Sequence, residues 1–165
     1  MVIGGQAVLL YGEPRLTRDI DITLGVGPDS LDTLKRIIQT LALKILVKDL
    51  DGFARETLVV PTLDEESRLR VDFIFAYSPY ERQAIRRAKA VMIGKATVRF
   101  ASREDVIIHK VVAGRPRDLD DVRGILLKKV DFDKRYTRKW LKVFGETLKE
   151  DLVGKLKKAL EEVEK

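Results

Sequence analysis

The sequence predicts an α+β fold: a mixed β-sheet flanked by helices, followed by a helical C-terminal part. Three observations predict it. Short apolar runs with period-two alternation interleave with helix-length segments up to about residue 101. From Ser102 onward only the helical period recurs. A chain of 165 residues, 45% hydrophobic, suffices for one well-buried sheet domain with a helical appendage. The expected division is a sheet domain over 1–101 and a helical region packed on it over 102–165.

Each element has a local reason. Val2-Ile3 reads as a strand stub ending at Gly4-Gly5. Gln6 to Tyr11 reads as a short helix, stopped by Gly12 and Pro14. Asp19 to Leu24 alternates and reads as a strand. "GVGPDS" is a turn, and Asp29 or Ser30 caps a helix running to about Leu43. "KILVK", "FARETLVV" and "RLRVDFIF" read as strands, with "PTLDEES" turning between the last two. Ser78-Pro79 opens a helix with proline in its first turn. "AVMIGKATVRFA" reads as a hairpin around Gly94-Lys95. Ser102 with Asp105 resembles a capping box, with Asp in place of Glu or Gln. In the tail, Tyr136, Trp140, Phe144 and Leu148 recur every four residues, and Leu152, Leu156, Leu160 and Val163 continue an apolar stripe. These read as packing faces rather than base-stacking platforms. Gly145 and Gly154 are expected to mark breaks between helices.

Composition narrows the chemistry. Cysteine is absent, which excludes disulfides and thiolate zinc sites. A single histidine, His109, excludes a multi-histidine metal site within one chain. A bound metal is therefore expected to be a hard cation on carboxylates, Mg²⁺ or Mn²⁺. No run approaches the roughly 20 apolar residues of a membrane span, and no signal peptide is evident, so a cytoplasmic protein is expected. Abundant Lys and Glu without Asn or Cys fit a thermophile. The formal net charge is +6, concentrated in Arg82 to Arg99 and Lys128 to Lys142. A solvated lysine-rich surface and a nucleic-acid footprint both remain open for these segments.

The carboxylates carry the strongest chemical signal. Asp19 and Asp21 share one strand face, their Cβ atoms about 7 Å apart. Such a pair repels, and is stable on a wet surface or around a divalent cation. Asp72 lies between Val71 and Phe73 in an apolar strand, where aspartate is disfavoured without a partner. If the two strands are neighbours, three carboxylates converge as two Mg²⁺ ions about 3.5–4 Å apart would require. Asp19 and Asp21 would then touch both ions. Asp72 would touch one and accept the proton of an attacking hydroxyl. Gly4-Gly5 ahead of a helix would let backbone N–H groups approach phosphate oxygens. The spacing fits neither a dinucleotide fingerprint nor a P-loop.

"IGG", a 13-residue gap, "DID" and a later "VDF" together resemble the signature of the polymerase-β-like nucleotidyltransferase superfamily. The string "GGQAVLLYGEPRLTRDIDI" is similar to the minimal nucleotidyltransferases of the AbiEii/AbiGii toxin type, which include the MenT-like toxins. Arg15, Thr17 and Arg18 match the basic and hydroxyl cluster before the acid pair. Lys110 and "RPRDLDDV" match a helix lysine followed by an Arg-Asp-x-x-Asp element. The resemblance covers roughly residues 2–127. It implies an α/β nucleotidyltransferase fold and Mg²⁺-dependent transfer of a nucleoside monophosphate from an NTP to a hydroxyl. The implied acceptors include RNA such as a tRNA 3′ end, and the implied partner is a cognate antitoxin protein. It assigns Gly4 and Gly5 to the triphosphate; Asp19, Asp21 and Asp72 to metal; and Arg15, Thr17 and Lys110 to nucleotide phosphates. Asp118 acts in or beside the site, supported by Arg117 and Asp121.

The residues themselves leave Lys110 open as an ordinary exposed helix lysine, and "RDLDD" as an acidic helix start. His109 reads as a helix residue beside Lys110. Two departures from the family pattern stand out. Relatives usually carry a helix and more strand upstream, so Val2-Ile3 is expected to be short of pairing and to favour oligomer contacts. Position 6 is Gln where many active members have Ser. A catalytically idle nucleotide- or RNA-binding module and a metal-dependent phosphodiesterase are the alternative functions.

Overall fold

The computed structural model describes residues 1–76 and 78–164. They form two compact units: Met1–Gln6 with Leu16–Phe100, and Ala7–Arg15 with Ala101–Lys165. The first holds a mixed sheet of seven strands among the described residues: β1 Val2–Ile3, β2 Asp19–Thr23, β3 Lys44–Ile45, β4 Val59–Leu63, β5 Arg70–Ile74, β6 Lys89–Ile93 and β7 Ala96–Phe100, in the order β3-β4-β5-β2-β1-β7-β6. The mixed sheet with flanking helices is the α+β class expected.

Val2-Ile3 is not short of pairing. It pairs antiparallel with β2 and parallel with β7, near the middle of the sheet. The N-terminal ammonium adds a hydrogen bond to the Thr23 carbonyl at 2.8 Å. β2 lies parallel to β5 in a register that matters for chemistry: Asp19 opposite Arg70, Ile20 opposite Val71, Asp21 opposite Asp72.

Along β2 and β5, side chains alternate between two faces. Ile20, Ile22, Val71 and Phe73 join a core with Leu34, Ile38, Leu50 and Ala54. Those last four come from α2 (Leu31–Thr40) and α3 (Leu50–Thr57). Asp19, Asp21 and Asp72 therefore share the opposite face.

Helix α3 corrects the reading of "FARETLVV" as one strand. Phe53 to Thr57 are helical, and only Val59-Val60 are extended. The aromatic and β-branched content imitates a strand. The helix is fixed by the Asp49 side chain, which accepts the Gly52 N–H at 3.0 Å, and by burial of Leu50 and Ala54 four residues apart. Leu58, at φ +61°, ends it. Pro61 and Thr62, expected in a turn, belong to β4; Thr62 Oγ1 donates to the Val71 carbonyl at 2.7 Å. The turn is shorter and closes with Asp64 N–H on the Leu69 carbonyl at 2.9 Å. Helix α2 ends at Thr40 rather than Leu43, because Ala42 takes φ +53°. It follows a 3₁₀ turn, Pro28–Ser30, and Ser30 makes no side-chain cap bond. "KILVK" contributes two strand residues.

Other local signals translate directly. Ser78 and Glu81 form a complete capping box on α4 (Pro79–Arg87). Gly94, at φ +59°, turns the β6–β7 hairpin.

The second unit contains α5 (Arg103–Ala113), α6 (Pro116–Leu127), α7 (Lys134–Leu148) and α8 (Leu152–Val163). Ile107, Ile108, Val111, Ile125, Leu141, Leu152 and Leu156 are buried in it. The segment Ala7–Arg15 belongs here: Tyr11 donates to the Ala101 carbonyl at 2.9 Å, and Gly12 lies against Ile125. Ser102 caps α5 as expected, its Oγ accepting the Asp105 N–H at 3.3 Å. The buried Asp105 carboxylate accepts from Ser102 Oγ at 2.6 Å and from the Tyr136 hydroxyl at 2.8 Å.

The tail glycines are also corrected. Gly145 lies inside α7, where its α-carbon faces the Glu150 carbonyl; Gly154 lies in the first turn of α8 and donates to the Asp151 cap. The chain turns between them, at Lys149 with φ +56°.

Candidate active site

In the first unit, the site is built on the acid face of β2 and β5. The parallel register seats Asp21 beside Asp72, with Asp19 one pleat further along and Arg70 opposite it. Adjacent strands run about 4.8 Å apart, so the carboxyl groups crowd. Arg70 relieves that crowding. Its Nε donates to Asp72 Oδ1 at 2.8 Å. This bond, with the charges of Asp72, Asp19 and Asp21, outweighs desolvation and raises the guanidinium pKa above its ordinary value. Arg70 was missed in the sequence; its signal was a cation two residues before Asp72 on the same strand face.

The glycines are not a turn ahead of a helix. They are the first two residues of α1 (Gly4–Tyr11). Gly4 takes φ +63°, and its α-carbon faces the Asp21 carboxyl group so closely that any Cβ would collide with Oδ2. The first backbone N–H groups of a helix lack intrahelical partners and lie at its positive end. The antiparallel pairing of Ile3 with Asp21 sets this helix start beside Asp21. Thr17 lies on the approach to β2 and donates to the Asp19 carbonyl at 3.5 Å.

Oxygen donors of one type on one face suit a hard divalent cation. As placed, no three His, Cys, Asp or Glu side chains among the described residues come together at one metal position. The positive charge beside Asp72 is Arg70. In donor type and register the residues fit the cation.

In the second unit, the remaining expected residues form a charge network. Lys110 is not an exposed helix lysine; it is buried, with Nζ 2.7 Å from Asp118 Oδ1 and 3.0 Å from Asp121 Oδ2. Arg15 grips Asp121 with two nitrogens, Nε at 2.7 Å and Nη2 at 2.9 Å. Arg115 Nε meets Asp118 Oδ2 at 2.6 Å. Arg117 is exposed, and Arg115, three residues before Asp118 at the α6 N-cap, holds the carboxylate. That i,i+3 spacing was the available signal. Burial would raise the pKa values of Asp118 and Asp121. Hydrogen bonds from Arg115 and Lys110, and from Arg15 and Lys110, outweigh it and hold both below the ordinary range. Three cations on two carboxylates leave the network net positive. His109 is a half-buried residue of α5.

Among the described residues, no helix is long and apolar enough to cross a membrane. Solved structures with the same fold include two nucleotidyltransferase-type proteins. The lincomycin-bound lincosamide antibiotic adenylyltransferase LnuA superposes with a TM-score of 0.52 at 15% identity, covering 76% of this chain and 84% of that one. An antigenic nucleotidyltransferase-like protein from Paracoccidioides brasiliensis superposes with a TM-score of 0.51 at 15% identity, covering 94% and 83%. At that identity the likeness is one of fold. No curated protein matches the chain in sequence. The family described as nucleotidyl transferase AbiEii toxin, type IV TA system, matches residues 2–164, reaching through the C-terminal helices as well. The chain belongs to this AbiEii family of nucleotidyltransferase toxins.

Proposed function

We propose that this chain is a Mg²⁺- or Mn²⁺-dependent nucleotidyltransferase. It would move a nucleoside monophosphate from an NTP to a hydroxyl, such as a tRNA 3′ end, and act as a toxin restrained by a cognate antitoxin. The observation that carries this is the side-by-side register of Asp21 and Asp72, with a helix start at Gly4 against Asp21.

Asp19, Asp21 and Asp72 hold the divalent cation in this reading. When bound there, one cation would supply a lowered pKa to the attacking hydroxyl and a second would supply positive charge to the departing pyrophosphate. Asp72 accepts the proton of that hydroxyl. The backbone N–H groups of Gly4 and Gly5 bind triphosphate oxygens. Thr17 contributes a hydroxyl to the nucleotide. Arg15 and Lys110 bind phosphate, and Asp118 and Asp121 act as positioning residues that keep their charged ends in place.

The test incubates the purified chain with Mg²⁺ or Mn²⁺, each labelled NTP in turn, and total RNA. Labelled RNA is expected, and Asp21→Asn should reduce it by at least about 10³-fold with the circular dichroism spectrum retained. No labelling with any NTP and either metal would sink the proposal. Metal-independent NTP binding without transfer would favour an idle binding module. Phosphodiester cleavage without NTP would favour a phosphodiesterase.

A further inference from the structure

Arg70 lies on the acid face and has no role in the proposed reaction. It is placed there by register: on β5 it faces Asp19 across the strand pair and shares a face with Asp72, two residues on. Without a cation, Asp19, Asp21 and Asp72 repel. The guanidinium sits among them and bonds Asp72 through Nε at 2.8 Å. Its side chain is half exposed, whereas that of Asp72 is 16% exposed. A charge-assisted bond with one open flank holds in the absence of competition and yields to a divalent cation, which brings twice the charge to the same oxygens. Arginine cannot give up its charge by losing a proton, so it has to move or find another anion. A triphosphate brought to the same face offers the geometry a guanidinium binds best.

We infer that Arg70 is an exchangeable counter-ion: it offsets part of the charge of the acid face in the resting protein, leaves Asp72 when the divalent cation binds, and transfers to the phosphates of the incoming NTP. The inference rests on the proposed nucleotidyltransfer reading. It adds an order to it, because the acid face exchanges its internal cation before it is competent. It also makes Arg70 a nucleotide-binding residue.

The test uses the full chain labelled with ¹⁵N, following the Arg70 Nε–H resonance by NMR. Arg70→Lys, which deletes the resonance, assigns it. Addition of Mg²⁺ alone is expected to shift or broaden the signal, and a non-hydrolysable NTP analogue with Mg²⁺ should restore a sharp signal at a new position. In parallel, Mn²⁺ binding without NTP is measured by electron paramagnetic resonance. Arg70→Gln is expected to bind Mn²⁺ about tenfold tighter while raising the NTP KM about tenfold. Arg70→Lys, which keeps the charge without the fork, should keep Mn²⁺ affinity near wild type yet still raise the NTP KM. If Mn²⁺ binds through Asp21, as Asp21→Asn would reveal, but the Nε–H signal never moves, the exchange is wrong and the metal reading survives. If Arg70→Lys leaves KM at the wild-type value, the phosphate contact is wrong. If neither wild type nor Arg70→Gln binds Mn²⁺, the metal reading fails and the exchange fails with it.

Discussion

Gly4 lies directly against the carboxyl group of Asp21: a Cβ on Gly4 would stand 3.0 Å from the Asp21 Cγ and closer still to Oδ2. This joins the two ends of the stretch from Gly4 to Asp21. The antiparallel pairing of β1 with β2 puts Ile3 opposite Asp21, so the next residue turns into α1 over that carboxylate. The approach requires a residue without a side chain, and φ of +63° favours the same residue.

Gly4→Ala is therefore expected to act twice. The left-handed backbone costs about 1–2 kcal/mol for a residue bearing Cβ. The methyl group also has to displace Asp21 or be displaced by it. Urea unfolding should report the stability loss. In the proposed reaction, transfer should fall by more than that loss explains, because Asp21 moves. A Gly4→Ala protein of wild-type stability and activity would contradict this account.

The sequence carried some of this openly. The strands at Asp19 and Arg70, the hairpin at Gly94 and the Ser78 cap rest on local patterns of two to six residues. Other features rest on partners far along the chain. Whether Asp72 faces the acid pair depends on β2 lying beside β5, which alternation within each strand leaves undetermined. Lys110 reads as a surface residue until Asp118 and Asp121 from the next helix bury it, and Arg15 meets a carboxylate 106 positions away. Composition also misled where it overlapped two states. "FARETLVV" has the residues of a strand, but the Asp49 cap and a buried i,i+4 pair decide its first part.

Gly145 illustrates the same ambiguity and gives a second prediction. A glycine in a helical pattern reads as a break, yet here it admits a neighbouring backbone: a Cβ would stand 2.6 Å from the Glu150 carbonyl oxygen. Alanine normally improves a helix interior by about 1 kcal/mol over glycine. Overpacking costs about 1–3 kcal/mol, and a backbone carbonyl yields less than a side chain. Gly145→Ala should therefore destabilise by about 1–2 kcal/mol in urea unfolding. A stabilised variant would mean that the α7–α8 turn gives way easily.

The network of Arg15, Lys110, Arg115, Asp118 and Asp121 yields the third prediction, in which burial separates its members. Lys110→Met leaves two buried carboxylates without their shared cation and should cost about 3–5 kcal/mol. Arg115 is largely exposed, so Arg115→Ala should cost at most about 1 kcal/mol. The pH dependence has a definite sign. The folded pKa values of Asp118 and Asp121 lie below the ordinary 3.8. Their stabilising contribution is thus complete above that value and is lost as pH falls below it, through the lowered folded values. Without Lys110, burial is less opposed and both folded pKa values rise toward the unfolded value, so less stability is left to lose on acidification. Urea titrations stepped down from neutral pH should show Lys110→Met starting less stable and then losing less stability below about pH 4 than the wild type does. Parallel acid profiles for the two proteins would mean that Lys110 does not set the charge state of these aspartates.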